Sequence, residues 1–97
     1  MRLRYSSRAV ADLSAIADFL NERSPEGARA VERAIHATLA LVAEYPRCGR
    51  VVEQRPSVRV VPVTRYPYLI FYTVAEEAVV VLHVRHGARR PVDPQAL

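Results

Sequence analysis

Arginines, tyrosines and histidines concentrated in the second half of the chain carry most of the chemistry that this sequence can offer. Arg59, Arg65, Arg85, Arg89 and Arg90 fall in or beside runs of β-branched residues, and arginine's planar fork pairs well with carboxylates and phosphates. As a group they form a candidate surface for an anionic partner. Taken singly, each also suits a solvated strand edge, where charge discourages unwanted pairing. Tyr66, Tyr68 and Tyr72 are of the type that stacks on unpaired bases, although tyrosines at this spacing also pack sheets. His86 closes the last apolar run, and histidine is the side chain whose charge changes near neutral pH. It is therefore a candidate acid or base, with His83 on the opposite face of the same run. Cys48 is the only cysteine, which excludes an internal disulfide and a thiolate metal cluster. Lying between Arg47 and Gly49 in a loop signal, it reads as a small loop residue rather than a nucleophile. No metal and no cofactor are expected.

All 14 basic residues are arginine, against 10 acidic ones, for a net charge of +4. The balance favours an acidic partner, either nucleic acid or an acidic protein segment, and charge alone does not separate the two. With 51% apolar and 25% charged residues the composition is that of a folded globular protein. A length of 97 residues predicts one domain over residues 1–97, burying only about two-thirds of the surface exposed by the unfolded chain. Binding a partner would add to so small a core. The apolar runs are far shorter than the ~20 residues that span a bilayer, and residues 1–4 open no signal-peptide pattern. A cytoplasmic location without membrane contact is the expectation.

The elements that must position these residues follow from periodicity. Arg2–Tyr5 alternates as a short strand, and Ser6-Ser7 offers a cap for a helix over residues 7–22. Its apolar stripe runs through Val10, Leu13, Ile16 or Ala17 and Leu20, which leaves Asp12 and Asp18 facing water. Ser24-Pro25 starts a second helix, with proline at the first position where its missing N–H costs nothing. Ala28, Val31, Ile35, Leu39 and Val42 carry its stripe to Tyr45-Pro46, where proline disfavours helical geometry in the preceding residue. His36 on this helix reads as a surface residue. Three strands are expected over residues 58–63, 66–74 and 78–86, paired antiparallel through short links at 64–65 and 75–77. On the last, Val80, Leu82, Val84 and His86 form the better core face. The result is an α+β domain of order β-α-α-β-β-β, a helical hairpin packed on a small, mainly antiparallel sheet, with a loose tail over 90–97.

This order resembles the RelE/ParE toxin superfamily, and four short words carry the likeness in register. Tyr5-Ser6 with Ala9, Asp12-Leu13 and Ile16 looks like the family's opening helix. Glu44-Tyr45-Pro46-Arg47-Cys48-Gly49-Arg50 looks like its helix exit. Arg65-Tyr66-Pro67-Tyr68 before Ile70-Phe71-Tyr72 is similar to its central strand, and the run from Val80 to His86-Gly87-Ala88-Arg89 to its closing strand.

The resemblance implies the toxin of a type II toxin–antitoxin pair, held silent by a cognate antitoxin whose C-terminal segment folds on wrapping it. One branch of the superfamily cleaves messenger RNA on the ribosome; the other is associated with poisoning DNA gyrase. The closing His86-Gly87-Ala88-Arg89 word looks more like the gyrase branch. That branch implies a non-enzymatic inhibitor, with Arg59, Arg65, Tyr66, Arg85, His86 and Arg89 as candidates for contact with target or antitoxin. Cleaving RNA through its own 2′-hydroxyl needs a base, an acid and cations on the phosphate. Ribonuclease relatives supply these from lysine, arginine and a late tyrosine, and this chain has no lysine and no tyrosine after Tyr72. In a second ribonuclease style, Glu53, Arg65 and His86 would take the parts, with Gly87 standing where a tyrosine is usual. An endoribonuclease and an inactive antitoxin-binding module are the alternative readings.

Overall fold

A computed structural model describes residues 1–87, so Arg89 and the expected tail lie outside the described residues. Strand β1 (Arg2–Tyr5) leads into helix α1 (Ser7–Arg23) and helix α2 (Pro25–Glu44). Strands β2 (Arg50–Val52), β3 (Arg55–Pro62), β4 (Tyr68–Val74) and β5 (Ala78–His86) follow. Both expected helix starts are capped by serine. Ser6 Oγ accepts the Ala9 N–H at 3.0 Å and Ser24 Oγ accepts the Gly27 N–H at 3.1 Å; each cap offsets an orphan donor and contributes about 1 kcal/mol.

The sheet order is β1-β5-β4-β3-β2. Only β1 and β5 run parallel; every other neighbouring pair is antiparallel. The hairpin covers one face, where Val31, Ile35 and Leu39 of α2 meet Ile70, Val81 and Val84 in the main core. Tyr72, Val79 and Val42 form a fully buried second knot on the same face. A smaller cluster of Val58, Val60 and Phe71 packs on the opposite face with Leu69 and Leu82.

Three expectations are corrected. A fourth late strand exists: Arg50–Val52 pairs with β3 across a register shift, too short and irregular for alternation to reveal it. The third β-segment begins at Tyr68, not residue 66, so the link from β3 is five residues long and Arg65 takes a left-handed φ of 73° within it. On β5 the assignment of faces changes partway along. Tyr72 pairs with Val81 but Phe71 pairs with His83, so Leu82 is the extra residue of a β-bulge. Val79, Val81, Val84 and His86 therefore share the helix-covered side, and Val80 and Leu82 do not.

Candidate functional site

The bulge and the short β1 together create an unusual edge. β1 pairs with β5 only as far as Val81, and from that point Ser6, the N-cap of α1, and Asp12 within α1 take over as edge partners. The Ser6 N–H donates to the Val81 carbonyl and Ser6 Oγ donates to the Leu82 carbonyl, both at 2.9 Å. Asp12, expected to face water, is half-buried: its Oδ2 accepts the Val84 N–H at 3.1 Å and lies 2.6 Å from His83 Nδ1. A carboxylate here satisfies a backbone donor that no strand reaches and fixes the imidazole orientation at the same time. The His83 ring, only 6% exposed, stacks on Phe71 at 5.7 Å between centroids. Arg85 reaches the His86 carbonyl at 3.1 Å, capping one more acceptor at this end of the strand.

Among the described residues, a groove of about 880 Å³ lies beside this edge, between the hairpin turn and the end of the sheet where β4 begins and β5 finishes. Phe19, Leu20 and Arg23 wall one side; Tyr66, Arg85 and His86 wall the other. Of the six candidate contact residues, Tyr66, Arg85 and His86 are thus brought together, and Arg65 stands exposed next to Tyr66 in the β3–β4 link. His83 and Asp12 join this groove. The sequence could not announce their pairing, because 71 positions separate them.

Two candidates lie elsewhere. Arg59 Nη1 donates to the Gly49 carbonyl at 2.8 Å and the Arg47 carbonyl at 3.2 Å, holding the exit loop of α2 against the sheet. Glu53 sits in the β2–β3 turn. Its strands are at the far side of the sheet from β5, and by register it stands at the end where β4 finishes rather than beside His86, which pairs with Tyr68 at the start of β4. Glu53 and His86 are therefore not brought together. Of the three tyrosines, Tyr72 is fully buried and Tyr68 only 7% exposed. The Tyr72 hydroxyl accepts the Gly49 N–H at 2.8 Å and donates to the Pro46 carbonyl at 2.9 Å. Burial holds its phenol above the ordinary value of 10.0, with the Gly49 N–H pulling the other way. Cys48 is exposed in the same loop.

A second groove, about 380 Å³, runs along the helical hairpin itself. Val10, Leu13, Ala17 and Leu20 of α1 face Val31, Ile35 and Leu39 of α2 across it, with Arg29, Glu32 and His36 on its rim. Val10 is 56% exposed although it belongs to the apolar stripe. No group of three or more His, Cys, Asp or Glu side chains among the described residues is placed to hold a metal ion, and no helix among them is long and apolar enough to cross a membrane.

The family model for the ParE toxin of the type II toxin-antitoxin system parDE matches residues 3–91. Toxin RelE2 of Caulobacter vibrioides is 37% identical over 83 residues, 84% of this chain and 90% of that protein. Among solved structures, the chromosomal ParDE system of P. aeruginosa superposes with a TM-score of 0.74 at 26% identity, covering 89% of this chain and 95% of the other. The intact E. coli RelBE toxin–antitoxin complex gives 0.60 at 19% identity over 92% and 98% of the two chains, a likeness of fold.

Proposed function

The chain belongs to the RelE/ParE superfamily as a type II toxin, and we propose that it is a ParE-like member that inhibits DNA gyrase by binding. The observation that carries this reading is the separation of the groups that a ribonuclease would need to gather. Glu53 and His86 lie at different ends and sides of the sheet, Arg59 is committed to loop carbonyls, and no tyrosine follows His86. A base, an acid and a phosphate clamp must stand within hydrogen-bond reach of one substrate to act together. The match of the ParE model over residues 3–91 supports the same branch.

The family implies a cognate antitoxin, and the hairpin groove suits it. An amphipathic segment laying apolar side chains at helical spacing against Leu13, Ala17 and Ile35 would fold as it bound. Burial of that groove would also add to the stability of a small core.

The likeness to toxin RelE2 supports a second reading, a ribosome-dependent endoribonuclease using Arg65 and His86. Induced expression of the chain without its antitoxin discriminates. Gyrase poisoning predicts growth arrest with filamentation and a DNA-damage response while transcripts stay intact. Arrest with transcripts cut on ribosomes, cutting that His86→Ala abolishes, would transfer the function to the ribonuclease reading, and no arrest would leave an antitoxin-binding module.

A further inference from the structure

Helix α2 is apolar over more of its circumference than the sheet and α1 use. Val31, Ile35, Leu39 and Val42 are buried, and the hairpin groove takes the side of α2 that carries Arg29, Glu32 and His36. By the 3.6-residue period, Ala30, Ala34, Ala37, Leu41 and Tyr45 form a further stripe on the flank turned away from that groove. Leu41 is 49% and Tyr45 56% exposed, Ala37 is exposed, and Ala30 and Ala34 are half-buried. Large apolar side chains adjacent on one stripe suit a contact better than a solvated surface.

The stripe is complementary to itself when reversed. Small residues occupy its N-terminal half and large ones its C-terminal half, so in an antiparallel pair Leu41 of one copy lies over the gap between Ala34 and Ala37 of the other, a knob facing a hole. The charges beside the stripe reverse in the same register. Glu26, Arg33 and Glu44 share one side of α2 by the same period, and Arg50 follows in sequence beyond the exit loop. All four are exposed, and none has a side-chain hydrogen bond or ion pair among the described residues. Their order is acid, base, acid, base; an antiparallel copy presents base, acid, base, acid alongside it. A two-fold axis crossing α2 near Thr38 and Leu39 therefore sets Arg33 against Glu44 twice and Glu26 against Arg50 twice. The position of Arg50 is fixed in advance, because Tyr72 and Arg59 hold the backbone of Pro46, Arg47 and Gly49 and Arg50 itself pairs with Val60. Such preorganisation lowers the entropic cost of association.

We propose that this flank of α2 docks a second copy of the chain, the two α2 helices packing antiparallel about a two-fold axis. The proposal does not depend on whether the target is gyrase or messenger RNA. It leaves the hairpin groove, on the other side of α2, open to antitoxin, so that a dimer carries two such grooves. A contact of one helix per copy lies near the lower bound of about 1,000 Å² for specific interfaces, and the association should be weak, in the micromolar range.

Sedimentation equilibrium of the purified wild-type chain should show a reversible monomer–dimer equilibrium. Reducing buffer keeps the exposed Cys48 from adding a disulfide. Arg33→Glu sets like charges together twice across the axis and should weaken dimerisation at least tenfold, and Glu44→Arg should do the same. The double variant Arg33→Glu/Glu44→Arg restores opposite pairs and should return the dissociation constant to within threefold of the wild type, a recovery that a general loss of stability cannot mimic. Leu41→Glu should leave only monomer. Circular dichroism and thermal melting check the folding of each variant; should Leu41→Glu not fold, Leu41→Ala is read instead, with at least threefold weakening expected. A wild-type chain that stays monomeric at every concentration overturns the proposal. So does a dimer indifferent to the single charge reversals or to the Leu41 substitution, or one that the double variant fails to restore.

Discussion

The Tyr72 hydroxyl sits where the exit loop of α2 meets β4, bonded to Gly49 and Pro46. Tyr72→Phe leaves a buried N–H and a carbonyl without that partner, and should lower stability by about 1–3 kcal/mol in urea unfolding. Gly49→Ala attacks the same joint from the other side. A Cβ there would stand 2.5 Å from the hydroxyl and 2.8 Å from the ring, so a comparable loss of about 1–3 kcal/mol is expected from overpacking. The phenol also predicts a pH dependence. Burial raises its folded pKa above the unfolded value, so its contribution is complete below about pH 10 and is lost as pH rises through the folded value. Because the chain has no lysine, no lysine ammonium titrates in that window. Stability measured from pH 9 to 11.5 should fall, and fall less steeply in Tyr72→Phe; equal slopes would contradict the assignment. Asp12→Ala should cost about 1–3 kcal/mol by stranding the Val84 N–H and His83, while Asp18→Ala, on the exposed side of the same helix, should stay within about 0.5 kcal/mol. Sequence periodicity placed both aspartates off the apolar stripe and could not distinguish them. What separates them is a long-range contact at a strand edge.

Among the elements, the helices were the most legible, because punctuation and periodicity agreed. Ser6, Ser24-Pro25 and Tyr45-Pro46 mark the observed boundaries within a residue or two. Every position named on the α2 stripe is buried. The strands were less so. Both faces of β5 are apolar, so alternation continued through Leu82 as though nothing had changed, and the bulge that reassigns Val80 and Val81 left no mark in the pattern. β2 is three residues long, below what a period of two can register. Of the six residues that the sequence offers for contact with a partner, Tyr66, Arg85 and His86 line one groove, whereas the capture of Arg59 by the loop carbonyls depends on where that loop comes to rest, which no pattern in the sequence records. The hairpin groove gives a prediction at this scale. Ala17 is exposed within it, so Ala17→Arg should change thermal stability little, within about 0.5 kcal/mol, yet weaken antitoxin binding at least tenfold in calorimetry. Undiminished affinity would move the antitoxin off the hairpin.

For the molecule as a whole, a chain with a net charge of +4 carries an apolar groove along its helical hairpin. Attraction between exposed opposite charges fades over a Debye length of about 8 Å at physiological salt. Association of this cationic chain with an acidic partner should therefore weaken as ionic strength rises, whereas the apolar contacts of the hairpin groove should respond little. The proposal is that this toxin acts by binding gyrase rather than by cutting RNA. It is tested most directly by adding the purified chain to gyrase and relaxed plasmid, with antitoxin and programmed ribosomes as parallel arms. Binding to gyrase predicts dose-dependent loss of supercoiling, restored by antitoxin, with ribosome-bound transcripts intact. Supercoiling that proceeds unhindered at every concentration while those transcripts are cleaved would contradict it.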